Sequence, residues 1–159
     1  MKIDIGFGGP KVKMTGPENV CYLQGSNTLL EWLHHFTPFS AYRERKWARQ
    51  VADIVENDVF ILKLAGHSLG GTVATMVAGG LIDRLEIYIS LYTYGAKRPK
   101  SPFGEVRGYH YAVKGDWVPY LPPWRPALNV AVLDYGKLGP IEAHGPEIYY
   151  EQMEKDGVR

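Results

Sequence analysis

The chain carries a single cysteine, Cys21, among its 159 residues. No intrachain disulfide can form, so nothing in the covalent structure calls for an oxidising compartment. Cys21 lies in the apolar run "VCYL" and reads as a small buried hydrophobe rather than a reactive thiol. Excess charge is also missing: the net is +1 with His neutral. Nucleic-acid binders hold phosphates with surplus Lys and Arg, so no nucleic-acid partner is expected. No apolar run reaches the ~18 residues of a membrane span. The opening "MKIDIGFGGP" lacks the apolar core of a cleavable signal peptide, which leaves a cytoplasmic location as the default expectation. No His, Cys and Asp cluster has metal-ligand spacing, and neither a metal nor another cofactor is expected. Internal repeats, low-complexity tracts and linker-like stretches are absent from the sequence too.

What is present is an ordinary globular composition, 45% hydrophobic and 22% charged. The length suits one domain spanning 1–159 and suffices for a core without staples. Aromatics are plentiful at 13%, with 4 Trp and 11 Tyr. They fit either an aromatic-lined cleft or a small core filled with large side chains.

Alternation of element types gives the fold class. "KVKMTG" alternates apolar and polar residues and reads as an edge strand; Val20 to Gln24 reads as a short buried strand. "TLLEWLHHF", Thr28 to Phe36, has the spacing of a short helix with a broad apolar face. Tyr42 to Asn57 is the clearest helix, with Trp47, Val51, Ile54 and Val55 inward and Arg43, Arg45, Lys46 and Arg49 largely outward. Val59 to Ala65 is a continuous apolar run with one Lys, as in a strand covered on both faces. "LGGTVATMVAGGLID" is a small-residue helix able to pack closely on a sheet. "EIYISLYTYG", "GEVRGYHYAVKGD" and "ALNVAVLDYG" each hold a further strand, and "GPEIYYEQMEKDG" a terminal helix with Pro146 near its first turn. Strands alternating with helices imply an α/β fold with a mostly parallel central sheet flanked by helices. Sites on such sheets lie at the carboxyl ends of the strands.

One such end is marked. Gly66-His67-Ser68-Leu69-Gly70 matches G-x-S-x-G, between an apolar strand and a small-residue helix. A sharp turn there would lift the Ser68 hydroxyl above the sheet, and flanking glycines would let strand and helix approach. The helix start would aim N–H groups at the site, with the Leu69 N–H placed to donate to an oxyanion. A structural strand-to-helix turn is the competing reading of the bare motif. A reactive serine needs a base, and the base an orienting acid. Downstream histidines are His110, inside the strand-like "GYHYAV", and His144, in a loop before the terminal helix. Asp116 should sit at a strand's carboxyl end, though Gly-Asp is also ordinary turn chemistry. Asp134 competes with it; Asp83 falls at the far end of the helix after Ser68.

Five segments, in order, resemble the class 3 (fungal-type) lipase family. "YLQGSNTLLEWLHHF" is similar to its oxyanion segment and "LAGHSLGGTVATMVA" to its nucleophile segment. "LYTYGAKRPKS" is similar to the following strand, "YAVKGDWVPYLPP" to the acid segment, and "AHGPEIYYE" to the histidine segment. The resemblance covers most of Tyr22 to Glu151. It implies a reduced α/β-hydrolase fold, with Ser68 as nucleophile, Asp116 as acid and His144 as base. Ser26 and the Leu69 N–H would then form the oxyanion hole. The implied activity is hydrolysis of carboxylic esters, small or lipid, without a cofactor.

The departures are shortness and "AKRP" in place of the family's usual x-Pro-Arg. "TLLEWLHHF" occupies the lid position. Leu29, Leu30, Trp32 and Leu33 would either meet the acyl chain and transiently a lipid interface, or pack permanently on the core. Two other functions stand beside a lipase: a short-chain or carbohydrate O-acyl esterase, and a degenerate hydrolase fold serving as a binding or structural module. Oligomeric state is open.

Overall fold

The computed structural model describes residues 2–4, 11–15, 20–25, 40–56, 63–85, 88–99, 106–123 and 128–158. Ser26 and the Thr28 to Phe36 segment, with Leu29, Leu30, Trp32 and Leu33, lie outside them. The described residues form a seven-stranded sheet whose spatial order is the chain order. The strands are β1 (Lys2–Asp4), β2 (Lys11–Thr15), β3 (Val20–Gln24), β4 (Lys63–His67), β5 (Ser90–Tyr94), β6 (Arg107–Val113) and β7 (Asn129–Leu133). β1, β2 and β3 pair antiparallel, and β3 through β7 run parallel.

Two sequence expectations are corrected here. "KVKMTG" is a strand, but β2 lies between β1 and β3 rather than at the edge. Its alternation was legible, whereas the three-residue β1 that covers it has too little pattern to read. The strand expected at Val59 to Ala65 is described as Lys63–His67, running on to the residue before Ser68; 59–62 lie outside the described residues.

Consecutive parallel strands laid side by side put right-handed crossovers on one face. Helices α1 (Ser40–Glu56) and α2 (Leu69–Leu85) share that face. In α1 the inward residues Glu44, Trp47, Ala48, Val51 and Val55 recur at three- and four-residue spacing. Arg45, Lys46 and Arg49 are exposed, as their positions on the opposite side require. Helix α2 is buried along most of its length, because α1 covers one side and the sheet the other. Cys21, Leu23, Leu64 and Leu91 from the sheet belong to the same core cluster as the apolar residues of both helices.

The opposite face is covered by the chain's C-terminal segment: helix α3 (Pro140–His144), a 3₁₀ turn (Pro146–Tyr149) and helix α4 (Tyr150–Lys155). The expected terminal helix therefore opens as a 3₁₀ turn, with Pro146 in its first position. Tyr94, Tyr111 and Tyr149 fill the layer beneath it, the first two stacked with centroids 5.3 Å apart. The end of the segment is tied down by Asp156. Its carboxylate accepts from Tyr94 Oη at 2.7 Å and Tyr111 Oη at 3.2 Å, and its carbonyl accepts from Lys63 Nζ at 2.7 Å. Of the described aromatics, Trp47, Tyr94, Tyr111 and Tyr149 are core, whereas Tyr42, Tyr88, Tyr109, Trp117, Tyr120 and Tyr135 are exposed.

Glu44 is a charged residue on the buried stripe of α1, where it pairs with Lys97 from the segment after β5. Burial pushes the Glu44 carboxyl up from the usual range, against the opposing pull of Lys97. Lys97 also donates to Ser40 Oγ at 3.2 Å, so the pair pins the start of α1 to the chain leaving β5. Removing one partner of a buried pair leaves an uncompensated charge, at about 3–5 kcal/mol. Lys97→Met should lower unfolding stability in urea by that order, and Glu44→Leu added to it should recover most of the loss. Equal instability of the single and double variants would contradict a pairing role.

Candidate active site

Ser68 stands in the turn between β4 and α2 with a φ of 52°, the left-handed region that L residues avoid. The surroundings impose this conformation. Ser68 N–H continues the sheet by donating to the Tyr94 carbonyl at 2.9 Å, while the Ser68 carbonyl accepts from Thr72 N at 3.1 Å inside α2. The chain thus passes from sheet to helix within one residue. Glycines make that possible. A Cβ on Gly66 would lie 2.5 Å from the Gly70 carbonyl carbon, and one on Gly70 would lie 2.0 Å from the Leu23 oxygen. Gly25, at the end of β3, would place a Cβ 3.0 Å from Ser68 Cβ, so the chain leaves β3 beside the nucleophile turn.

The base comes from the opposite face. His144 is the last residue of the five-residue helix α3, not the loop residue that the sequence suggests. Gly139 and Pro140 start this helix after β7, and Gly145 N–H closes it on the Ile141 and Glu142 carbonyls at 3.0 and 3.2 Å. His144 Nε2 lies 2.9 Å from Ser68 Oγ, and His144 Nδ1 lies 2.9 Å from Asp116 Oδ2. With a carboxylate on Nδ1, that nitrogen carries the proton and Nε2 is free to accept from the serine hydroxyl.

Asp116 follows β6 after a two-residue turn and is fully enclosed. Its two readings, turn residue and acid, both hold, one per oxygen. Oδ1 accepts from Val118 N–H at 3.0 Å, shaping the 3₁₀ turn Val118–Tyr120. Oδ2 accepts from His144 Nδ1 and from Tyr149 Oη at 3.0 Å. Tyr149 Oη in turn accepts from Val113 N–H at 3.1 Å. Burial first, then the Asp116 charge, raises the Tyr149 phenol above its ordinary range, so it stays a donor.

The competing acids and bases stand elsewhere. Asp134 pairs with Lys114 on the surface at 2.9 Å, which lowers its carboxyl below the ordinary value. Asp83 is exposed at the far end of α2. His110 is a sheet side chain, its Nδ1 2.6 Å from Thr93 Oγ1 across the β5–β6 register. Cys21 is buried. Among the described residues, no three His, Cys, Asp or Glu side chains are grouped to hold a metal ion.

Two contributors are not marked as site residues in the sequence, and a third, His67, is marked only as part of the nucleophile turn. Tyr149 sits in "EIYYEQ", where its spacing reads as a helix aromatic. Gly95 has a φ of 59°, and a Cβ there would lie 3.0 Å from Asp116 Oδ2 and 3.3 Å from His144 Nδ1. The signal for it was a glycine directly after a strand. His67 was named as part of the motif, but its contact with the base was not foreseen: His67 Nε2 lies 2.9 Å from the His144 carbonyl.

A serine, an imidazole and a buried carboxylate in hydrogen-bonded series at the carboxyl ends of parallel strands define a serine-hydrolase type of site on an α/β-hydrolase frame. Solved structures agree on the fold. The chain superposes on a lipase from Rhizopus microsporus var. chinensis with a TM-score of 0.56 and 17% identity, over 77% of this chain and 55% of that one. For a Rhizomucor miehei lipase propeptide complex the TM-score is 0.54 with 22% identity, over 77% and 50%. For a mutant MDLA from Penicillium cyclopium it is 0.53 with 15% identity, over 89% and 66%. At these identities the likeness is one of fold, and the chain spans about half the length of the first two. Neither a family model nor a curated protein matches the chain.

Two buried histidines give the protein a pH signature. Burial pushes His67 down to about 3, with His144 nearby adding to the shift, and pushes His110 down to about 4, with Arg98 adding. Unfolded, both would bind a proton below about pH 6.5. The folded state therefore holds fewer protons as pH falls from there, and stability drops by about 1.4 kcal/mol per pH unit for each. Glu44, raised from its ordinary value, acts in the opposite sense at the acid end. Urea unfolding between about pH 6 and pH 4.5 should show the decline, and His110→Gln should flatten it by about 1.4 kcal/mol per pH unit. An unchanged slope would contradict a neutral buried His110.

Proposed function

We propose that this chain hydrolyses carboxylic esters through an acyl-enzyme on Ser68. The observation that carries the reading is the continuous series Ser68 Oγ, His144 Nε2, His144 Nδ1 and Asp116 Oδ2, with both contacts at 2.9 Å, on a serine held at a φ of 52°. His144 takes the hydroxyl proton as Oγ attacks the ester carbonyl. Asp116 fixes the tautomer and stabilises the imidazolium, which then protonates the leaving alcohol. Water attacks the acyl-enzyme by the same route, and the free acid leaves.

The Leu69 N–H, in the first turn of α2, is the first oxyanion donor, and Ser26, next after Gly25, is the second. Such donors contribute about 3–4 kcal/mol each in well-studied hydrolases. Support for an apolar acyl group comes from exposed apolar side chains close in sequence to His144 and Asp116. Ile141, one turn before His144 on α3, is 86% exposed, and Trp117, next to Asp116, is half-exposed. The preferred substrate is accordingly a lipid-like ester, with transient contact at a lipid surface. The alternative is a small-ester or carbohydrate O-acyl esterase.

Ser68→Ala should reduce turnover of p-nitrophenyl butyrate by at least about 10³-fold while leaving the fold intact by circular dichroism. Wild-type turnover in that variant would rule the mechanism out. Across p-nitrophenyl esters from acetate to palmitate, the lipid reading expects rates that climb with chain length and rise further on an emulsion. A maximum at acetate or butyrate with no response to the emulsion selects the esterase.

A further inference from the structure

We propose that His67 is a positioning residue for the base: its Nε2–H, donated to the His144 main-chain carbonyl at 2.9 Å, ties the residue that activates the serine to the strand that carries the serine. The inference rests on the hydrolase reading above. The acceptor is a carbonyl, so Nε2 must carry the proton and the ring is fixed in one neutral tautomer. Burial holds the His67 imidazole well below its ordinary range, which keeps the ring uncharged near neutral pH.

Strand alternation explains why this residue can reach. Side chains at Lys63, Ala65 and His67 leave β4 on the face covered by the C-terminal segment. Lys63, at the start of the strand, donates to the Asp156 carbonyl at 2.7 Å. His67, at its end, donates to the His144 carbonyl. One face of one strand thus grips the C-terminal segment at both ends, each time through a carbonyl at a helix C-terminus, where backbone acceptors lack an intrahelical partner.

The tie matters because α3 is only five residues long, too short to hold its last residue by its own hydrogen bonds. The His144 imidazole is fixed at Nδ1 by Asp116, and its backbone is fixed by His67, leaving Nε2 over Ser68. The His67 ring also packs beside the base, with centroids 5.2 Å apart, and lies 5.7 Å from the Tyr149 ring. Being neutral, it supports the base sterically without placing a second positive charge beside the imidazolium. A looser base should lower the rate of the chemical step more than substrate binding, because small misplacements act on the reacting geometry.

The test compares His67→Phe, which keeps the ring volume but has no donor, with His67→Gln, whose amide restores one. Circular dichroism first confirms folding. Two readouts follow: kcat and KM on p-nitrophenyl butyrate, and the low-field proton NMR resonance of the His144 Nδ1–H held by Asp116. His67→Phe should lower kcat at least about tenfold with KM within about twofold, and broaden or abolish the low-field resonance; His67→Gln should return both toward wild type. If His67→Phe fails to fold, His67→Leu, which also has no donor, is read in its place with the same expectation. Wild-type kcat and resonance in the donor-less variant would overturn the proposal, as would equal impairment in His67→Gln. The resonance needs no substrate, so an inactive wild type that shows it would sink the hydrolase reading while the tie is still judged by NMR.

Discussion

The carboxylate of Asp116 is the group on which the rest of the site depends. It is fully enclosed, and a buried carboxylate is tolerated only when its oxygens are satisfied. Three donors satisfy it, from three places in the chain: the Val118 amide of its own turn, the His144 imidazole, and the Tyr149 hydroxyl. Two of those lie on the C-terminal segment. Docking that segment therefore completes both the hydrogen bonding of a buried carboxylate and the assembly of the serine–histidine contact. Hydrogen bonds to ionised acceptors are the stronger kind, so the same interaction that relieves Asp116 also sets the imidazole in place.

The two faces of the sheet divide the work. The α1 and α2 face is dense packing, and its contribution is to force the turn at Ser68. Gly66 and Gly70 let α2 sit against β3 and β4 at distances no larger residue permits, and the strain falls on Ser68, the one non-glycine residue with a positive φ among the described residues. The other face supplies the base and the acid's second donor, held by tyrosines and by Asp156. The site exists only at the strand ends, where β4 presents Ser68, the turn after β6 presents Asp116, and the C-terminal segment returns His144 across them.

Much of this was legible in the residues. Alternating elements identify a mostly parallel α/β sheet; the G-x-S-x-G context marks Ser68, the family resemblance selects Asp116 over Asp134 and assigns His144, and the structure joins the three in one hydrogen-bonded series. The parts that escaped share a physical cause: they depend on neighbours far apart in sequence. Gly95 matters because Asp116, Tyr149 and His144 crowd the space where its Cβ would be, and no local pattern announces that. Tyr149 looks like any helix aromatic until β6 passes beneath it. β2 reads as an edge strand because the short strand that covers it has too few residues to show a period. The helix at His144 escapes local reading because its five residues, Pro140 to His144, are bracketed by Gly139 and Gly145 and look like a loop.

The central claim is that Ser68 is activated by His144 and Asp116, and the most direct measurement is covalent labelling. A fluorophosphonate probe should modify the folded wild-type chain stoichiometrically, with peptide mass spectrometry placing the adduct on Ser68. His144→Ala and Asp116→Ala should each slow the labelling, and protein unfolded in urea should not react at all. Folded wild-type protein that stays unlabelled, or that carries the adduct on another residue, would contradict the account.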